Sequence, residues 1–237
     1  DVEQWIDDNK DCPKIVKELL QLLSGELCVK HISNVNVHLK LESLLKDNPI
    51  DYWRQQQARI IVWQRKAVCA VYTSVFVEAK RRLKAILHDK IVYADGLRPD
   101  ELSARLRLCN SVAGFFENDL TKQDRQTDKP IIDAEMIIYD MLGVHANVIA
   151  SWREMHETWM FKSDNYWGTG QAMRLTGQAT TAIGNVLTNM QVHAKFIHKH
   201  WNILEVGLFL GDDMCLVFKH KPSYHHLKND IATMFNM

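Results

Sequence analysis

Polar and apolar residues alternate with period two over residues 35–41 (Val-Asn-Val-His-Leu-Lys-Leu), which predicts a strand. Before it, apolar positions recur at helical spacing from Pro13 to Leu23, with Pro13 suited to a first turn and Gly25 to a stop. From Tyr52 to Leu87 the period is helical again with Arg and Lys interspersed, predicting two helices or one kinked pair. Pro99-Asp100-Glu101 opens a further helix through Leu108, because Pro has no N–H to lose there and acids favour the positive helix end. The texture then changes. Val112 to Phe116 is a short apolar run ending in Glu117-Asn118-Asp119, read as a buried strand with acids at its carboxyl end. A helix is predicted from Asp128 to Leu142, with Pro130 in its first turn and Gly143 as its stop. Another is predicted over 147–160, with Trp152, Met155 and Trp159 on one face, and 163–170 is turn-rich. After Thr176-Gly177 a long helix should run to Trp201, its first turns kept small by Thr180, Thr181, Ala182 and Gly184 so that backbone can approach closely. Residues 206–218 are two apolar runs hinged on Gly211-Asp212-Asp213, the signature of a buried hairpin.

Composition adds bounds. With 237 residues, 46% of them apolar and 24% charged, the chain can bury a core as one large domain or one and a half smaller ones. Basic and acidic residues balance at 29 each, so a nucleic-acid role would need a local basic groove. Five cysteines without a CxxC pair suit a reducing compartment, mostly as small core residues. No apolar run reaches membrane-spanning length and the start lacks a signal-peptide pattern, so the chain is expected to be soluble. It begins with Asp, and Leu227, Ile231 and Phe235 keep helical spacing up to an uncapped end, so the sequence is read as part of something longer. His193, His198 and His200 are separated by five and two residues, whereas ligands on one helix face need gaps of three or four, so they are discounted as a metal site. The seven tryptophans are read as core and interface residues, with Trp167, in the turn-rich segment, the one placed to touch a ligand.

Two adjacent carboxylates at a hairpin beside a hydrophobic core call for neutralisation, and a divalent cation is the usual means. Three elements then fall in order: Asp119-Leu-Thr-Lys-Gln-Asp124 after the short strand, Thr176-Gly177-Gln-Ala-Thr-Thr181-Ala-Ile-Gly-Asn185 leading into the long helix, and Gly211-Asp212-Asp213. Their order and spacing resemble palm motifs A, B and C of viral RNA-dependent RNA polymerases, most closely the alphavirus-like superfamily. There motif A often reads D-x-x-K-x-D, as here with Lys122, and motif B reads S/T-G-x-x-T-T-x-x-G-N, as here in full. The resemblance covers roughly residues 35–237, with specific motifs only between 117 and 213.

The resemblance implies an α/β (α+β) fold: a right-hand polymerase palm with an antiparallel sheet, helical fingers and no thumb. Residues 1–112 would be fingers elements, 113–145 the palm with motif A, 146–175 a fingers insertion, and 176–237 the palm with motifs B and C and the start of motif D. It implies template-directed RNA synthesis from nucleoside triphosphates with Mg²⁺ or Mn²⁺, since two ions about 4 Å apart can hold attacking and leaving oxygens in line. Asp119 and Asp212 would be the main catalytic metal ligands, with Asp213 a weaker one. Asp124 lies too far along for the same metals and would join Asn185 and Thr181 in sensing the ribose 2′-hydroxyl, while Gly177 lets the backbone bend near the template–substrate pair. Lys40, Arg59, Lys66, Lys122 and Arg174 would contact the triphosphate or the RNA. Implied partners are RNA template and product, nucleoside triphosphates and other replicase domains (helicase, capping), in a replication complex of the host cytoplasm that those other domains could attach to a membrane. The 237 residues alone are expected to be inactive. Two alternatives stand beside this. A reverse transcriptase is disfavoured by the acid at Asp124 and by Leu210, where such enzymes carry Tyr before x-Asp-Asp. A catalytically inactive RNA-binding palm remnant is disfavoured by the intact acids at 119, 212 and 213.

Overall fold

The computed structural model describes residues 2–8, 10–25, 32–39, 60–120, 123–163, 166–171, 173–225 and 227–231. Helices in these segments are α1 (Val2–Asp8), α2 (Pro13–Leu23), α3 (Lys66–Ile86), α4 (Pro99–Arg107), α5 (Gln123–Gln126), α6 (Lys129–Met141), α7 (Ala146–Glu157), α8 (Thr181–Lys199) and α9 (Leu227–Asp230). Strands are β1 (Asn34–Leu39), β2 (Ile60–Gln64), β3 (Ile91–Tyr93), β4 (Gly114–Asp119), β5 (Thr158–Lys162), β6 (Trp167–Gln171), β7 (Leu204–Leu210) and β8 (Asp213–Phe218). The fold is mixed α/β. Two four-stranded sheets run in the orders β2-β1-β5-β6 and β3-β7-β8-β4.

Both sheets are mixed rather than wholly antiparallel. In the second, β7 and β8 form the expected hairpin and β4 joins antiparallel, but β3 lies parallel to β7. One face of this sheet, through Phe209, Met214, Leu216 and Phe218, enters a core shared with α3, α6, α7 and α8. The other carries a small cluster of Val92, Val206 and Val217. β4 is an edge strand, so Phe115, Glu117 and Asp119 are exposed where a buried strand had been expected. Its alternate residues turn toward α8, and Phe116 lies 4.9 Å from Phe196 between ring centroids.

Several elements differ from the sequence reading for identifiable reasons. Residues 60–64 (Ile-Ile-Val-Trp-Gln) pair with β1 instead of continuing a helix, as a β-branched run favours a pleated surface. The helix expected over 147–160 ends at Glu157, and Trp159 is buried from a strand, because β5 pairs with both β1 and β6. Most of β6 falls within 163–170, where turns had been expected. Elsewhere the punctuation holds. Gly25 and Gly143 follow α2 and α6 with φ of 77° and 79°, and the Asp128 side chain accepts from Ile131 N at the start of α6. Cys69, Cys109 and Cys215 are half-buried, and burial raises their thiol pKa values, which disfavours the thiolate. Among the described residues no helix is long and apolar enough to cross a membrane.

Candidate active site

The hairpin closes on Gly211-Asp212, with Leu210 opposite Asp213. Gly211 adopts φ 62°, a value that first positions of two-residue hairpin turns require and that a Cβ would strain. On the other side of β8 the register sets Asp119 directly opposite Asp213. Residues so placed bring their Cβ atoms to within about 4.5–5.5 Å. Two carboxylates separated by 94 positions in sequence therefore meet at the end of the sheet, with Asp212 in the adjoining turn. Burial first, then the charges of Asp212 and Asp119, push the Asp213 carboxyl pKa upward. Among the described residues no three potential ligands converge as a ready-made metal shell. The donor set nevertheless suits Mg²⁺ or Mn²⁺, hard ions that take one or two carboxylates and fill the remaining positions with water and phosphate. A cavity of about 440 Å³ lies beside these acids, lined by Glu117, Asp119, Leu208, Leu210 and Asp213.

One face of α8 ties the acid-bearing segments together. Asn185 donates from Nδ2 to Asp124 Oδ1 at 2.9 Å, and Gln123 Nε2 donates to the Asn185 carbonyl at 2.8 Å. Four residues on, Asn189 Nδ2 donates to the Asp212 carbonyl at 2.8 Å. Four further on, His193 lies with Nδ1 2.8 Å from the Asn189 carbonyl, so that nitrogen carries the proton, and Nε2 accepts from Asn118 Nδ2 at 2.8 Å. Burial lowers the His193 pKa, and the neutral ring serves as a structural link.

The other expected site residues take different places. Arg174 is a correction: it is buried, pairs with Glu135 and donates to the Thr180 carbonyl, so it is not available to a triphosphate. Burial pushes its pKa down to about 10, still charged at neutral pH, and the charge of Asp124 counters that fall. Thr181 spends its hydroxyl on the turn, donating to the Leu175 carbonyl at 2.7 Å and accepting from Gln178 N at 3.1 Å. Gly177 N donates to the Val62 carbonyl at 3.0 Å, and a Cβ there would fall 2.8 Å from Trp63 Cβ, so its missing side chain serves contact with β2. Lys66 is exposed at the start of α3, its Nζ 5.6 Å from the Trp63 ring centroid. Lys40, Arg59 and Lys122 lie outside the described residues. Trp167 is exposed on β6 opposite Lys162. Glu135, Asn189 and His193 were not foreseen as part of the site. Their signals are an acid, Glu135, set directly before the apolar run 136–139 and polar residues at 185, 189 and 193 on one helix face.

A family model described as RNA dependent RNA polymerase matches residues 3–237. The RNA-directed RNA polymerase 2a of Cowpea chlorotic mottle virus is 27% identical over 183 residues, covering 76% of this chain and 22% of that protein. Replicase polyprotein 1ab of Beet yellows virus is 22% identical over 205 residues, covering 81% of this chain and 6% of that polyprotein. The chain thus spans less than a quarter of the length of either relative. With a family match that runs over nearly the whole sequence, this chain belongs to the RNA dependent RNA polymerase family.

Proposed function

We propose that this chain carries the nucleotidyl-transfer centre of a viral replicase that copies an RNA template from nucleoside triphosphates. The observation that carries the reading is the placement of Asp119 opposite Asp213 at the sheet end, beside Asp212 in the turn. In the reaction a primer 3′-oxygen attacks the α-phosphorus, the bond from that phosphorus to the bridging oxygen breaks, and pyrophosphate leaves while the hydroxyl proton passes to solvent water. Asp119, Asp212 and Asp213 would hold Mg²⁺ or Mn²⁺, which when bound supplies charge for the attacking and leaving oxygens. The cavity beside them offers the space where substrate could be aligned, with Leu208 and Leu210 among its walls. Asp124, held by Asn185, supplies an acceptor for the ribose 2′-hydroxyl, and a deoxyribose would leave that polar pair without its partner. The same pair favours RNA over DNA synthesis.

In this reading residues 113–145 and 176–237 belong to a palm and residues 1–112 and 146–175 to fingers, and the whole protein works with RNA and further replicase domains. Primer extension by the replicase carrying this chain tests it. Asp119→Asn and Asp212→Asn should each reduce synthesis by about a thousandfold or more with the fold retained, a scale set by removal of transition-state charge stabilisation. Retained synthesis in a folded Asp212→Asn variant would overturn the reading.

A further inference from the structure

The chemistry above uses Asp119, Asp212, Asp213, Asp124 and Asn185, and it leaves Asn189 without a task. Asn189 is wholly buried on α8. Its Nδ2 donates to the Asp212 carbonyl at 2.8 Å and reaches the Gly211 carbonyl at 3.5 Å. Both neighbours are acceptors, so the amide orientation is fixed with nitrogen toward the turn. Its Oδ1 then has no hydrogen-bond partner. An apolar side chain would fill the same space without stranding an oxygen, so what this residue supplies is the donor. The Asn189 carbonyl in turn takes the His193 Nδ1 proton, and His193 holds Asn118, the residue before Asp119. One stretch of helix therefore grips both acid-bearing segments through their backbone or immediate neighbours.

We propose that Asn189 is a positioning residue: it fixes the Gly211–Asp212 turn so that the Asp212 carboxylate is presented beside Asp119 and Asp213, while His193 steadies β4 through Asn118. The proposal rests on the reading of those acids as a metal-binding centre. It concerns a residue that itself touches neither metal nor substrate.

The test is Mn²⁺ binding by the 237-residue chain, followed by electron paramagnetic resonance, together with amide hydrogen exchange over 211–214 and thermal melting. Asn189→Leu removes the donor while filling the core, so it should melt at or above the parent temperature. It should nevertheless bind Mn²⁺ about tenfold more weakly, the scale typical for residues that orient metal ligands, and exchange the turn amides faster. Asn189→Ala should show the same two changes with a lowered melting temperature. Leu187→Ala, on the same helix and without a hydrogen bond to the turn, should lower melting and leave Mn²⁺ binding as it was. A folded Asn189→Leu variant with parental Mn²⁺ affinity and turn exchange would overturn the positioning role alone, provided Asp212→Asn does weaken binding. If Asp119→Asn and Asp212→Asn both bind Mn²⁺ as the parent does, the metal-centre reading fails and the positioning role falls with it.

Discussion

Asp213 faces Asp119 directly and adjoins Asp212, and its raised pKa means that the folded state resists its ionisation. For an acid with a raised folded pKa, the folded chain binds the proton more tightly than the unfolded one, so stability falls as pH rises through the carboxylate range. Ionised Asp213 is thus a destabilising feature at neutral pH. Asp213→Asn should raise stability at pH 7 by about 0.2–1 kcal/mol, the size of a like-charge cross-strand pair, and the gain should vanish at a pH low enough to protonate the carboxyl. Denaturant titrations at the two pH values measure this, and a variant less stable than the parent at pH 7 would contradict it. At Asn185 the expected effect is on choice of sugar: Asn185→Ala should cost about 1–3 kcal/mol of ribonucleotide over deoxyribonucleotide discrimination, read from incorporation ratios in the replicase. That Asp119 would meet Asp213, and Asp124 meet Asn185, was legible because residue type and order both carry information about these positions. Arg174 was not, because a cation preceding a glycine turn looks the same in sequence whether it meets a triphosphate or a buried glutamate. Its partner Glu135 lies 39 positions upstream, on α6.

The hairpin, α2, α4, α6 and α8 could be read from period and punctuation, since their stops and starts use local chemistry such as Gly143 and Asp128. Elements whose identity depends on pairing could not. Thr158–Lys162 continues the amphipathic pattern of α7 but becomes a strand because β1 and β6 lie on either side of it. The three residues of β3 are too few for any period, and a parallel partner in β7, more than 100 positions away, decides their state. The small start of α8 was expected to permit close approach, and what approaches Gly184 is the buried guanidinium of Arg174. An added Cβ would fall against that group. A free arginine tip would swing aside at little cost, but this one is held by Glu135 and the Thr180 carbonyl. Gly184→Ala should therefore destabilise by about 1–3 kcal/mol despite the better helix propensity of alanine. A denaturation midpoint equal to or above the parent's would show that the arginine has room to move.

Across the molecule, the Glu135–Arg174 pair links α6, the segment before α8, and α8 itself. Thr188 on α8 donates to Glu135 Oε1 at 3.3 Å and Tyr139 donates to Glu135 Oε2 at 3.3 Å. The core shared by the helices and the second sheet is thus pinned around a charged pair, and the same helix presents Asn185 and Asn189 to the acids at the sheet end. Buried pairs of this kind set geometry more than they add stability, because desolvation offsets much of their attraction. That distinction can be measured by a double-mutant cycle. Arg174→Met alone should cost about 3–5 kcal/mol, since it leaves Glu135 charged and buried without its counterion. Glu135→Leu alone should cost about as much, for the converse reason. The two together should cost no more than either change alone, so the coupling energy should be at least the size of one single loss, about 3–5 kcal/mol. If the pair also sets the angle at which α8 meets the sheet, the double variant should regain stability yet bind Mn²⁺ more weakly than the parent. Simple additivity of the two single losses would mean that neither residue depends on the other, and that α8 is aimed at the acids by its apolar packing alone.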